Sequence, residues 1–217
     1  DRTYFAPEEL IDGKNRRIIW TWLLGWMYEH LDYDFDEHGW NGTLSFPRCL
    51  WLQDGQLRMA PAKELDNLQY NKQIPKISDD NRFELANGEI FRIKAEFNLK
   101  NQNKAGFSVR INGDKNERTD IYYDKEKQLL VFDASNSGKY GWKIKEEAPL
   151  ALADGETLCL DIFADKSVIE VYANEKQAIC RRVYPANPAD AIGTALIGDK
   201  DSLISFEAWD MAPANPY

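Results

Sequence analysis

Alternation of apolar and polar positions dominates the second half of the chain. In residues 90–100 every second side chain, from Phe91 to Leu99, is apolar, and those between are polar or charged. This period of two predicts a strand with one buried face and one solvent-exposed face. Similar short strands, separated by turn signals such as Asn112-Gly113 and Asp154-Gly155, are predicted at 106–111, 120–123, 128–133, 157–163, 167–173, 177–184, 193–197 and 202–211. Many short strands with frequent turns predict an antiparallel β-sandwich of the jelly-roll or lectin-like kind.

The first 60 residues are also strand-like but far richer in tryptophan. RIIWTWLLGWM at 17–27 predicts a buried strand, and residues 43–52, interrupted by Pro47, turn at Asp54-Gly55 into 56–59 to form a hairpin. Residues 60–82 lose the alternation and contain a single aromatic side chain, Tyr70. A helical turn is expected at 62–68. This stretch predicts a linker or interdomain strap.

Composition and charge narrow the class of protein. Of the 217 residues, 43% are hydrophobic and 12% aromatic, which is typical of a packed globular chain. The net charge of -9 repels phosphate backbones and anionic lipid surfaces, so neither nucleic acid nor a membrane is an expected partner. The longest apolar run, 18–27, is about half of the roughly 20 residues that span a bilayer, and a soluble chain is expected. Three widely spaced cysteines predict buried thiols instead of disulfides or a metal site.

The densest polar stretch, YEHLDYDFDEHGW at 28–40, holds both histidines and a cluster of carboxylates. The spacing of His30 and His38 matches no common metal site, so a solvated loop is favoured over metal binding. Paired carboxylates for glycoside hydrolysis must flank one bond at about 5 to 9.5 Å, and neighbours on a single loop, such as Asp34 and Asp36, seldom do so. We therefore predict no catalytic residue, no metal and no cofactor from the residues alone.

Five tryptophans fall within 32 residues: Trp20, Trp22, Trp26, Trp40 and Trp51. The first three lie in an apolar run and are interpreted as core. Trp40 follows Gly39 at a loop-to-strand junction, where an indole can either fill a core or present its flat face to the C–H face of a sugar. The residues alone leave both possibilities open for Trp40.

The stretch GWNGTLSFPRCLWL at 39–52 resembles the G-W-x-G-x-[ML]-S-[LF]-P-R-x-L signature of glycoside hydrolase family 32, the invertases, levanases, inulinases and other β-fructofuranosidases. Flanking segments agree with the family in order and spacing. They are TYFAP at 3–7, similar to DFYAPQ; RRIIWTWLLGWM at 16–27, similar to RRILWGWM; PAKELDNL at 61–68; and LDIFADKSVIEVYAN at 160–174. The chain is thereby identified as a member of this family over nearly its whole length.

The resemblance implies an all-β fold, with the last part of a five-bladed β-propeller at 1–60, a linker at 61–82 and a C-terminal antiparallel β-sandwich at 83–217. It places Trp40 in the fructose-binding pocket. Phe5 falls at the pocket edge, where the family has a tyrosine, so a hydroxyl is missing there. Arg48 is expected to hold the last blade together. Asp161, Asp165 and Glu170 are expected to be hairpin and interface groups.

The family's catalytic carboxylates lie in W-x-N-D-P-N-G, R-D-P and E-C-P motifs, and none of the three occurs here. The chain is therefore expected to be the C-terminal part of a retaining β-fructosidase acting on sucrose, levan or inulin, and to be inactive alone. Its expected partners are fructose-containing sugars and a missing N-terminal propeller segment. The alternative is a free-standing β-sandwich that acts as a carbohydrate-binding or oligomerisation module. Homo-oligomers are expected in either version because a part-blade exposes strand edges.

Overall fold

The computed structural model describes residues 4–25, 27–28, 31–32 and 39–215. Within them the chain forms antiparallel strands and two short 3₁₀ helices, so the all-β prediction is confirmed. The strands are β1 (Tyr4–Ile11), β2 (Arg17–Leu23), β3 (Met27–Tyr28), β4 (Leu31–Asp32), β5 (Thr43–Leu44), β6 (Arg48–Gln53), β7 (Gln56–Pro61), β8 (Gln69–Gln73), β9 (Arg82–Phe83), β10 (Ile90–Phe97), β11 (Lys104–Ile111), β12 (Thr119–Asp124), β13 (Leu129–Asp133), β14 (Lys145–Pro149), β15 (Leu158–Asp165), β16 (Val168–Ala173), β17 (Gln177–Arg182), β18 (Gly193–Ile197) and β19 (Leu203–Met211). The helices are η1 (Lys63–Leu68) and η2 (Lys200–Ser202). In the described part of the chain, no helix has the length and apolar character needed to cross a bilayer.

The first sheet, called sheet 1 below, has the order β1-β2-β6-β7, and the short β5 also pairs with β2. Strands β5 and β6 lie along the same edge of β2, and Pro47 separates them because it has no N–H to donate to a ladder. The predicted hairpin between β6 and β7 forms through Asp54 and Gly55, both at positive φ, as a two-residue hairpin turn requires.

Two six-stranded sheets make up the rest of the molecule. Sheet 2 has the order β17-β16-β15-β10-β19-β8, and sheet 3 has the order β14-β13-β12-β11-β18-β9. Their facing side chains form one continuous apolar core. Phe107 of sheet 3 lies at its centre, with its ring centroid 5.6 Å from that of Phe97 and 5.3 Å from that of Phe206, both in sheet 2. We refer to sheets 2 and 3 together as the two-sheet region.

The alternation predicted for β10 is correct on the core side, where Phe91, Ile93 and Phe97 are fully buried. It is wrong for Arg92, which was expected to face water and is buried on the outer face of sheet 2. The Arg92 guanidinium lies 4.4 Å from the centroid of the Phe163 ring and donates to both carboxylate oxygens of Asp161 at 2.8 and 2.7 Å. It also pairs with Asp66 of η1, so the helix covers this part of the sheet.

Strands β8 and β14 were not predicted, because both are edge strands with mostly polar or exposed positions and therefore lack a clear alternation. The stretch interpreted as a linker thus contains η1, where a helical turn was expected, followed by β8, which pairs with β19. Of the thiols expected to be buried, Cys180 is buried, whereas Cys159 is exposed on β15.

Sheet 1 packs with one end against the outer face of sheet 2. Leu23 and Phe46 meet Val168 and Cys180 there, and the ring centroids of Phe46 and Phe163 lie 5.1 Å apart. This apolar contact places the 39–52 segment directly beside strands β16 and β17.

Candidate functional site

The segment around Trp40 is fixed onto β2 by glycine and by short polar contacts. Gly42 has φ +69, and a Cβ added there would lie 1.9 Å from Nε1 of Trp22, so no side chain fits at this position. The Asn41 Oδ1 accepts from the Gly25 N–H at 3.1 Å, and the Ser45 Oγ accepts from the Thr21 N–H at 3.1 Å. The Asn41 side chain therefore makes a hydrogen bond within the fold.

Trp40 lies at the mouth of a cleft between sheet 1 and the two-sheet region. Its side chain is 47% exposed, and the cleft has a volume of about 740 Å³. Trp40 and Thr43 form one wall. The opposite wall comes from the two-sheet region, from Glu89, Arg110, 165–168, 182–186 and Pro188. Among the described residues, the indole of Trp40 therefore lines a cleft and does not fill a core.

Phe5 is not among the described residues that line this cleft. It pairs in register with Trp22 across β1 and β2, and the two rings meet edge to face with centroids 6.2 Å apart. Phe5 is 55% exposed and Trp22 is 38% exposed, so the interpretation of Trp22 as a core side chain is wrong for the described chain. The pair forms an open aromatic patch on β1 and β2. Trp26 and most of the polar loop, including both histidines, Asp34 and Asp36, lie outside the described residues.

Arg182 of β17 was not singled out by the sequence, yet it contacts Trp40. Its guanidinium carbon lies 5.5 Å from the centroid of the Trp40 ring and 5.1 Å from that of Tyr184. Its Nε and one terminal nitrogen donate to the Ser167 Oγ at 3.1 and 2.9 Å. The sequence did contain a signal that could have drawn attention to Arg182. Two successive arginines, Arg181 and Arg182, end a strand that is otherwise mostly apolar.

Cationic side chains outnumber anionic ones along the cleft wall of the two-sheet region. Arg110, Lys166 and Arg182 line it together with Glu89 and Asp165. Arg110 is almost fully buried, and its guanidinium donates to the backbone oxygens of Gly88 and Pro188 at 3.2 and 3.3 Å. Burial lowers the pKa of Arg110 from its ordinary value, and Glu89 opposes that shift.

Below the cleft, a buried carboxylate joins the two regions. Glu170 of β16 is fully buried; one oxygen accepts from the Phe46 N–H at 2.6 Å, and the other accepts from Arg48 at 3.1 Å and from the Tyr172 hydroxyl at 2.9 Å. Burial and the neighbouring Glu170 raise the pKa of Tyr172 well above its ordinary value, so the phenol remains a donor. Arg48 was expected to hold the last blade together, and its ion pair is structural but joins sheet 1 to Glu170 of sheet 2.

Among the residues that the structure describes, no group of three or more His, Cys, Asp or Glu side chains is arranged to hold a metal ion.

Two family models match this chain. Residues 2–61 match the N-terminal domain of glycosyl hydrolases family 32, and residues 56–210 match the model described as glycosyl hydrolases family 32 C terminal. The second match alone covers more than half of the 217 residues. The chain belongs to glycosyl hydrolase family 32.

Curated relatives in the family include a sucrose-6-phosphate hydrolase of Staphylococcus xylosus, 27% identical over 96% of this chain and 42% of the relative. A levanase of Bacillus subtilis (strain 168) is 30% identical over 79% of this chain and 27% of the relative. The chain thus spans less than half the length of these curated relatives.

Solved structures of the family share the fold. The chain is similar to fructan 1-exohydrolase IIa from Cichorium intybus with a TM-score of 0.81 at 20% identity, covering 98% of this chain and 49% of the other. Similarity to a sucrose-6-phosphate hydrolase from Lactobacillus gasseri has a TM-score of 0.75 at 20% identity, covering 96% of this chain and 41% of the other.

Proposed function

We propose that this chain is the C-terminal part of a retaining β-fructosidase that hydrolyses sucrose or fructans such as levan and inulin. Membership of family 32 supports this activity, as do relatives named sucrose-6-phosphate hydrolase, levanase and fructan 1-exohydrolase. In this proposal residues 1–60 are the last part of a five-bladed propeller, 61–82 are the linker and 83–217 are the sandwich. The separate five-stranded sheet 1 and the meeting of the two family models at 56–61 support this division.

The observation that carries the proposal is the half-exposed indole of Trp40 on a rigid segment. A flat aromatic face fixed at a cleft mouth can stack on the C–H face of a fructosyl ring. Phe5, on the same sheet, offers an apolar edge without a hydroxyl. We assign both residues to sugar binding and neither to catalysis.

The chemical step requires a carboxylate nucleophile and an acid on opposite sides of the scissile bond. The three family motifs that supply these groups do not occur in the 217 residues. We therefore propose that the carboxylates come from a propeller segment outside this sequence and act beside Trp40.

The experiment compares fructose release from sucrose, levan and inulin by two proteins. One is the gene product that contains these residues, and the other is the 217-residue chain alone. We expect release only by the first. Release by the 217 residues alone would contradict the assignment of the carboxylates to another segment, and no release from any fructoside by the gene product would contradict the activity itself.

The alternative of a free-standing carbohydrate-binding or oligomerisation module makes different predictions. It requires the two-sheet region to act without sheet 1, and the buried contact of Glu170 with Phe46 and Arg48 weighs against such independence. Calorimetric titration of the 217 residues with fructo-oligosaccharides at about millimolar concentration tests sugar binding by the module. Light scattering on the same sample tests its self-association.

A further inference from the structure

Arg182 contacts two aromatic rings that come from different regions of the chain. Its guanidinium carbon is 5.5 Å from the ring centroid of Trp40 and 5.1 Å from that of Tyr184. Both separations are within the roughly 6 Å range of cation–π attraction. The ring of Trp40 is thus attached to the two-sheet region through a planar cation.

The guanidinium itself has a fixed position. Arg182 is only 5% exposed, and two of its nitrogens donate to the Ser167 Oγ at 2.9 and 3.1 Å. Ser167 in turn accepts a backbone hydrogen bond from the Val183 N–H at 2.7 Å, which closes the turn region between β15 and β16 onto the end of β17. A cation held in this way acts as a rigid surface against which an indole can rest.

Trp40 gains conformational order from this contact. Its backbone is held through its neighbours Asn41 and Gly42, but its side chain is 47% exposed and projects from a loop. An exposed side chain that must be immobilised when a ligand binds lowers affinity, because its rotamer freedom is lost at that moment. A guanidinium stacked on the ring removes much of that freedom before the ligand arrives.

We propose that Arg182 is a positioning residue for Trp40, so that the two-sheet region contributes to the sugar-binding site by holding its aromatic platform in place. This inference rests on the proposed role of Trp40 in binding a fructosyl unit. It assigns to the two-sheet region a part in substrate affinity in addition to its packing against sheet 1.

The test measures kinetics on the gene product that contains this chain, with sucrose as substrate. Arg182→Met is expected to raise KM about threefold to tenfold with kcat changed less than about twofold, because the platform is used equally in the ground and transition states. Ser167→Ala, which only loosens the guanidinium, is expected to raise KM in the same direction by a smaller factor. Lys104→Met is the matched control, since Lys104 makes a similar contact, 5.0 Å from the Tyr122 ring, at the far end of the strand that carries Arg110.

A double-mutant cycle with Trp40→Ala separates positioning from a general structural role. If Arg182 acts through Trp40, Arg182→Met adds little to the KM of the Trp40→Ala enzyme. A full additional increase in that background, or an unchanged KM for Arg182→Met in the wild-type background, would overturn the proposal. Thermal unfolding of each variant identifies loss of folding, in which case Ser167→Ala carries the test. A wild-type enzyme with no activity on any fructoside would instead refute the proposed function.

Discussion

Sheet 1 and the two-sheet region differ in how they bury apolar side chains. Sheets 2 and 3 close on each other, and the core between them contains fully buried aromatic rings such as Phe91, Phe97 and Phe107. Sheet 1 is only partly covered, by sheet 2 and η1, and leaves large apolar side chains exposed, namely Phe5, Leu10, Ile11, Trp22, Leu44, Leu52 and Leu57. Exposed apolar side chains of this size are frequent at protein interfaces. Sheet 1 therefore depends on other protein surfaces, whereas the two-sheet region supplies its own core.

The junction between the two regions depends on a polar group as well as on apolar packing. Glu170 is fully buried and satisfies its two oxygens with Phe46, Arg48 and Tyr172. A buried carboxylate is tolerated only when such partners replace water. The junction is therefore specific in register, because a shift of the 46–48 segment would leave that charge with only the Tyr172 hydroxyl as a donor.

The largest expected effect is on the core of the two-sheet region. Phe107→Ala removes a fully buried ring that contacts both sheets and should lower the free energy of unfolding by about 4 kcal/mol. Leu57→Ala on exposed sheet 1 should change it by less than about 0.5 kcal/mol. Denaturant unfolding followed by circular dichroism measures both. Similar losses for the two variants would contradict the contrast between the regions.

The second effect isolates the junction. Glu170→Gln removes the negative charge that Arg48 faces and should cost about 3 kcal/mol. The loss should be localised, so hydrogen exchange should accelerate in β2 and β6 while the amides of β10 and β11 stay protected. Glu207→Gln, in an exposed pair with Lys72, is the control and should cost less than about 1 kcal/mol. Uniform acceleration in all four strands would argue against a local junction.

The third effect concerns the loop that carries Trp40. Gly42→Ala combines an unfavourable positive φ with a Cβ 1.9 Å from the Trp22 indole and should cost about 2 to 3 kcal/mol. Gly55→Ala has a similar φ of +73 but no atom within 4 Å of the added Cβ, so it should cost only about 1 kcal/mol. The difference between the two melting temperatures measures the close approach alone, and equal melting temperatures would disprove it.

The sequence predicted the parts of this structure that depend on local pattern. The alternation in 90–100 and the turn at Asp54-Gly55 depend on residues close together in the sequence. The strand β10 and the β6–β7 hairpin formed as expected. The contact of Trp40 with Arg182 could not be read in the same way, because it joins residues 142 positions apart through the packing of sheet 1 on sheet 2. The prediction that Arg92 faces water was wrong for the same reason, since only the tertiary fold places Asp66 and Phe163 against it.

The smallest effect is a pH dependence of the contact between sheet 1 and η1. Lys14 and Arg16, at the turn between β1 and β2, pair with Glu64 of η1 at 2.9 and 2.8 Å. Hydrogen bonds from Arg16 and then Lys14 lower the pKa of Glu64 to about 2. A carboxyl whose pKa is lowered on folding stabilises the fold fully above its unfolded pKa, and this contribution disappears as the pH falls through the folded pKa.

The expected result is a convergence of wild type and Glu64→Gln on acidification. At about pH 6 the wild type should melt at a slightly higher temperature. At about pH 1, below the folded pKa of Glu64, the two melting temperatures should coincide, because the glutamate is then largely protonated and can no longer act as an anion. Since these groups are exposed, about 1 M salt should reduce the difference at pH 6 as well. A difference that persists at acidic pH would mean that Glu64 contributes through packing on η1. The contact between sheet 1 and η1 would then depend on van der Waals packing and not on ion pairs.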